Sequence, residues 1–393
     1  GEGRSLREIE DEARVALRIV DQPAADRVYA AGNRLERGDG DDLLLSGRQF
    51  AAVHLVLSED AGATTLRFDA PALEGRIKLP DAAGASVDAR FSRLHWPDLP
   101  EGVEDSAAFL GDVAPASLPP LRVAIDDFRL GEARFGSAML QAHPVADGMR
   151  IDMLEAHSPN IDMTARGDWT GLPGSDRSKF TIVLSAGNLG AMMTALGFPG
   201  LIDGGHTRAT IDAAWPGPPS GFALAKLDGT LAIDIGEGRI PNVDPGAGRI
   251  LGLFSLAEIP RRLSLDFSDL FKSGFTFSSI AGAFRLADGN AYTDGLTIKG
   301  PAADIVVSGR TGLRAHDYDQ YMDVTPHAGS ALPVVGALAA GPVGAAAGLV
   351  AQGLLNKPLG KAVARRYHVT GDWADPQVTQ VKTAPARRPP GPR

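Results

Sequence analysis

From Ile280 to Leu313 apolar and polar side chains alternate with a period of two, interrupted at Gly289-Asn290 and Gly300-Pro301. Phe284 and Leu286 fall on one side and Arg285 on the other; Leu296 and Ile298 alternate with Thr297 and Lys299, and Ile305 and Val307 with Asp304 and Ser308. A period of two is a strand with one dry face and one wet face. Glycine and proline at the interruptions favour chain reversal. The stretch therefore predicts an antiparallel meander.

Most of the chain repeats that pattern. Strands are predicted at Phe50–Leu57, Thr65–Phe68, Gly75–Leu79 and Ser86–Phe91. Leu121, Val123 and Ile125 alternate with Arg122, Ala124 and Asp126; Ile161 and Met163 alternate with Asp162 and Thr164; Ile182 and Leu184 follow Phe180. Ile211 lies in Thr207–Ala213, and Leu231 and Ile233 lie in Leu227–Ile235, which is expected to pair with Gly238–Pro241 as a hairpin through Gly236. Leu263 and Leu265, then Phe275 and Phe277, continue the alternation, and Tyr318–Val324 and Tyr367–Gly371 close it. The block after Leu121 resembles the block after Gly47: Phe135 stands where Phe50 stands after its glycine, and Asn160–Trp169 resembles Leu73–Leu79. Two copies of one unit imply an architecture in which each copy buries its face against its neighbours. The predicted fold class is mainly β: a long curved antiparallel sheet of repeated meanders whose apolar side forms a groove, with a few short helices and C-terminal helices.

Helical spacing appears within residues 1–30, where Pro23 ends the run, at Leu189–Phe198, and at Gly248–Glu258, which is apolar nearly all round. Residues 31–97 then read as a first β block, 98–120 as a Pro- and acid-rich connector, 121–214 as a second β block and 215–326 as a third β region. An apolar helical segment at 327–366, a final strand at 367–383 and a tail at 384–393 follow. Ala328 to Asn356 carries no charged side chain but contains Pro333, Pro342 and six glycines. That makes it a poor, interrupted helix. It is open to three readings: a buried plug or membrane-touching hairpin, ordinary core helices, or a span. Its membrane-facing candidates are Leu332, Val334, Val335, Leu338, Val343, Leu349, Val350, Leu354 and Leu355, with Lys357, Lys361, Arg365 and Arg366 as a basic cluster suited to anionic head groups.

Composition narrows the chemistry. Hydrophobic content of 44% and charged content of 22% over 393 residues describe a foldable chain, and 47 glycines and 28 prolines require frequent turns. A net charge of −9 weighs against nucleic-acid binding along a phosphate backbone. With no cysteine there is neither a disulfide framework nor a thiolate metal site. The charged start at Gly1 is unlike a signal peptide and reads as the beginning of a fragment of something longer.

No Gly-x-Ser-x-Gly elbow, His-Glu-x-x-His pair or phosphate-cradling loop is found, and Gly246-Ala247-Gly248 with Gly252 has the wrong spacing for a dinucleotide loop. The acidic turn at Asp39, Asp41 and Asp42 carries Phe50 where a calcium loop needs its bidentate glutamate. The eight histidines are scattered, and aspartates recur on wet faces because sheets need polar outer sides. The reading is of a non-enzyme with no catalytic residue, metal or cofactor.

From Ala214 onward specific residues carry a resemblance. Trp215-Pro216-Gly217-Pro218-Pro219, Leu227-Asp228-Gly229-Thr230-Leu231, Asp244-Pro245-Gly246-Ala247-Gly248-Arg249, Pro260-Arg261-Arg262-Leu263 and the closing Tyr367-His368-Val369-Thr370-Gly371-Asp372-Trp373 run together. They resemble the C-terminal part of the AsmA-like proteins of Gram-negative bacteria, in the YhdP branch. The resemblance implies a long periplasmic protein held in the inner membrane by an N-terminal helix absent from this chain. Phospholipids would move along its groove between the inner and outer membranes, supporting outer-membrane integrity, with the C-terminal segment toward the outer membrane. The implied partners are phospholipids and the two membranes, without nucleic acid. Period-two alternation equally suits a closed sandwich, so a β-rich scaffold or adhesin-like protein with a closed core and no lipid ligand is the alternative.

Overall fold

The structure, a computed structural model, describes residues 38–39, 42–45, 48–60, 62–97, 113–241, 275–327 and 365–381. The helices expected in 1–30 and 248–258, the strand around Leu263 and Leu265, and the tail lie outside these residues, as does 328–364 of the apolar helical segment expected at 327–366; its end at Arg365 and Arg366 is not helical but opens a strand. The chain is mainly β, as its periodicity predicts. In order come β1 Gly38–Asp39, β2 Asp42–Leu45, β3 Arg48–Ala51, β4 His54–Asp60, β5 Ala63–Asp69, β6 Leu73–Pro80 and β7 Val87–Trp96. After a 3-10 turn at Pro115–Ser117 follow β8 Leu121–Leu130, β9 Ala133–Val145, β10 Gly148–His157, β11 Asp162–Thr170 and β12 Arg177–Ala186. Then come α1 Leu189–Ala195, β13 Asp203–Gly204, β14 Thr207–Pro216, β15 Asp228–Ile235, β16 Gly238–Ile240 and β17 Phe275–Phe277. The last are β18 Ser279–Ala287, β19 Asn290–Lys299, β20 Ala303–Gly312, β21 Asp317–Pro326, β22 Arg365–Asp372 and β23 Gln377–Val381.

Two compact units divide the chain. The first comprises residues 1–187, 191–198 and 208–231. In it β4 to β7 pair as consecutive antiparallel hairpins, and so do β8 to β12. The one strand predicted over Phe50–Leu57 is two, because Ala52 turns into the left-handed region (φ 53°) and separates β3 from β4. That break lets the β2–β3 hairpin place Phe50 in the core with Leu66, Phe68, Leu73 and Phe91, its ring edge-on to Trp96 at 5.6 Å.

An exclusively antiparallel sheet is not what forms, since β7 and β8 pair in parallel. Parallel neighbours need a crossover of about a dozen residues or more, and the Pro- and acid-rich stretch between Trp96 and Leu121 has that length. The described end of the connector, the 3-10 turn at Pro115–Ser117, packs against β9, β10 and β11. The parallel register sets Ala89 beside Val123 and Phe91 beside Ile125, so the apolar face continues across the step.

The second unit comprises residues 188–190, 199–207 and 232–393. β18 to β23 form an antiparallel series in chain order. The hairpin predicted between Leu227–Ile235 and Gly238–Pro241 is replaced by a small three-stranded sheet in which β16 lies between β13 and β17. Gly236 donates its N–H to the His206 carbonyl (2.8 Å) and Gly205 donates to that of Glu237 (2.9 Å), and these bonds carry the chain away from a tight reversal.

Candidate functional site

Exposure separates the predicted apolar residues into two groups. In the second unit Phe275, Phe277, Phe284, Leu286, Leu296, Ile298, Ile305 and Val307 are all buried, none more than 4% exposed. Ile161, Ile211 and Leu231 are buried as well, and Ile233 is half-buried. On β8, β11 and β12 of the first unit, Leu121, Val123, Ile125, Met163, Ile182 and Leu184 are only half-buried.

Strand register joins all of these half-buried positions except Leu121, which lies opposite Ala142, into two rows. One runs Val123–Leu140–Leu154–Ala165–Ile182 and the other Ile125–Ala138–Ala156–Met163–Leu184, each crossing the five strands β8 to β12. The rows mix Val, Leu, Ile and Met with three alanines, Ala138, Ala156 and Ala165. Short side chains set among long ones leave relief on this apolar surface. Toward the β10–β11 end without such relief, Met149, Ile151, Trp169, Phe180 and Trp215 are buried. Phe180 stacks on Trp215 at 5.2 Å, Trp169 donates from Nε1 to the Asp176 carboxylate (2.6 Å), and Trp215 donates to the Pro218 carbonyl (3.1 Å). Each indole N–H has a partner, which removes the cost of burying it.

Leu140 and Leu154 belong to the rows, although their positions were not among the predicted residues. In β9 the exposed apolar Met139 sits on the polar side and blurs the Ala138-x-Leu140-x-Ala142 alternation. In β10 a bulge between Ile151 and Leu154 changes the phase from odd to even positions. Bulges re-aim side chains in this way.

The polar face carries paired charges. Arg150 lies opposite Asp168 and donates to it at 2.8 Å; Arg366 lies opposite Asp323 and donates at 2.6 and 2.8 Å. Histidines meet single carboxylates, as in His143–Asp152 (2.7 Å) and His368–Asp319 (2.7 Å). Asp127 accepts from both His95 and Arg129; burial pushes its carboxyl up, but those hydrogen bonds and the Arg129 charge outweigh it and hold the group below its ordinary value. A hollow of about 580 Å³ on this face is lined by Arg150, Arg166, Asp168, Lys179 and Asp212 among others. Its lining carries both signs beside the apolar Ile151, Phe180 and Ala213. Among the described residues no group of three or more His, Asp or Glu is placed to hold a metal. None of their helices is long and apolar enough to cross a membrane. Of the basic cluster, Arg365 and Arg366 lie half-buried in β22; Lys357, Lys361 and the apolar candidates from Leu332 to Leu355 are outside the described residues.

The model of a family described as YhdP protein matches residues 37–378. The chain is 30% identical over 226 residues to the intermembrane phospholipid transporter YhdP of Escherichia coli, covering 57% of this chain and 18% of that protein's length. No solved structure matches.

Proposed function

The chain belongs to the YhdP family, and from that premise we propose that it is a non-enzymatic segment of a periplasmic phospholipid conduit, with the apolar rows of β8 to β12 as its lipid-contacting groove. Phospholipids then pass between the inner and outer membranes along such faces, which supports outer-membrane integrity. The longer protein is held at the inner membrane by an N-terminal helix, and the C-terminal segment meets the outer membrane. The observation that carries this reading is two registered rows of apolar side chains, half-buried except at Ala138, Ala156 and Ala165, crossing five consecutive strands. Each methylene exposed to water costs about 0.8 kcal/mol, so a sixteen-carbon tail faces roughly 13 kcal/mol that an apolar surface offsets without any chemistry.

Delipidated protein is expected to bind fluorescent phospholipid stoichiometrically. Met163→Asp with Leu184→Asp, which puts two charges among the rows, should weaken that binding at least tenfold while the melting temperature falls by only a few degrees. No binding by the parent chain, together with no co-purified lipid by mass spectrometry, overturns the reading. The complete burial of Phe284, Ile298 and Val307 favours a closed core in the second unit, so the β-rich scaffold is the second reading, and it prevails if lipid is absent.

A further inference from the structure

Away from the apolar rows, the polar face of the first unit holds an arrangement that sheets ordinarily avoid. Arg67 on β5, Arg76 on β6 and Arg90 on β7 are direct cross-strand partners, so three arginines stand side by side on three adjacent strands. All three are exposed, each between residues of the opposite face, and none has a hydrogen-bonded or ionic partner among the described residues. Like charges directly opposite each other on one face are destabilising. Facing like charges occur elsewhere in the described strands, at Asp69–Glu74, Arg129–Arg134 and Asp317–Asp372, but in each of those pairs one member is neutralised: Glu74 by Arg93 (2.6 Å), Arg129 by Asp127 (3.0 Å) and Asp317 by Arg310 (2.7 Å). The row of three guanidinium groups, in a chain of net charge −9, has no such neutralised member.

The neighbouring rows do not cancel them. On one side stand Asp69, Glu74 and Arg93, with Glu74 already taken by Arg93. On the other stand Thr65, Lys78, Asp88 and Arg122, whose surplus of one cation offsets the surplus of one carboxylate on the first side and leaves the three arginines uncompensated. The arginine row itself continues through Val56 on β4 at one end, and through Ala124 on β8 to Met139 on β9 at the other. Val56 is 41% and Met139 46% exposed. Six strands give the row a width of about 24 Å.

We propose that this face of β4 to β9 docks on a bilayer surface rich in anionic phospholipid, with Arg67, Arg76 and Arg90 engaging head-group phosphates. The planar guanidinium fork matches phosphate oxygens two at a time. Exposed aliphatic side chains flanking a basic stripe suit the boundary between head groups and acyl chains, whereas an acidic protein segment has no use for them. The surface is separate from the lipid-contacting rows, so either assignment stands if the other falls.

The test is flotation of the full chain with vesicles of phosphatidylcholine alone and of phosphatidylcholine mixed with phosphatidylglycerol. Binding is expected only to the mixed vesicles, falling steeply between 50 and 200 mM salt on the order expected from charge screening. Arg67→Gln, Arg76→Gln and Arg90→Gln together should lower it about a hundredfold. The variant should melt no lower than the parent, since it removes repulsion, and should still bind fluorescent phospholipid in the apolar rows. Replacing the same three by lysine should restore part of the vesicle binding. Equal binding to both vesicles, unchanged binding by the glutamine variant, or saturable binding of polyglutamate without vesicle binding each overturn the proposal.

Discussion

Gly75 and Gly167 do the same work in the two blocks of the first unit. Phe91 lies across from Gly75 and Phe180 across from Gly167, each ring resting where a side chain would stand; a Cβ would meet the phenylalanine ring at 2.5 and 2.6 Å respectively. A Cβ at Gly167 would also crowd the Lys179 carbonyl oxygen, so Gly167→Ala should shift the β12 backbone as well as push Phe180 off its stack with Trp215. A fall in stability of about 1–3 kcal/mol, the usual size of an overpacking penalty, is expected in urea unfolding. Phe284, at 4% exposed, tests the other kind of apolar position. Phe284→Ala should cost about 3–5 kcal/mol as a cavity in a packed core, read from the midpoint and slope of chemical unfolding. A cost below 1 kcal/mol would mark it instead as a surface residue. Which residues are apolar was legible from the alternation alone. Whether a given apolar residue is covered was not, because Met163 and Ile305 carry the same pattern and differ only in what packs over them.

At the scale of the element, the β20–β21 hairpin is closed by an ion pair. Arg310 donates to both carboxylate oxygens of Asp317 at 2.7 and 2.8 Å. Those hydrogen bonds hold the Asp317 carboxyl below its ordinary value, against a smaller opposing push from burial. A depressed carboxyl contributes stability above its unfolded value and loses it as pH falls through the folded one. Asp317→Asn is thus expected to cost about 0.5–1 kcal/mol at pH 7 and nothing measurable well below pH 3.8, where the parent is protonated as well. Comparing chemical unfolding at the two pH values checks the sign. Strands and their faces were readable here because a period of two leaves no other regular structure. The split at Ala52, the bulge in β10 and the partners of β16 were not, since each depends on one backbone angle or on hydrogen bonds made by residues distant in sequence.

Over the whole molecule, repetition was visible in the chain and the function came from it only in outline. Glycine and proline punctuation gave the meanders, and the closing motif from Tyr367 to Trp373 pointed to the family before any coordinates. The difference between a covered apolar face in the second unit and a half-covered one on β8 to β12 required the fold. So did the alignment of Arg67, Arg76 and Arg90, which stand nine and fourteen residues apart in sequence and meet only through register.

The parallel seam between β7 and β8 has a further effect on how such chains lengthen. Every other sequential pair from β4 to β12 is antiparallel and tied by two to six residues, so inserting strands there would invert the direction of all that follow or need an even number. At the seam the two strands run the same way, so a whole block can be added or exchanged beside β7 without re-threading a single hairpin. A replacement tether needs only to span a ten-residue strand, about 33 Å. Blocks joined in this manner are free to diverge separately, one keeping a sealed interior while its neighbour keeps an accessible one.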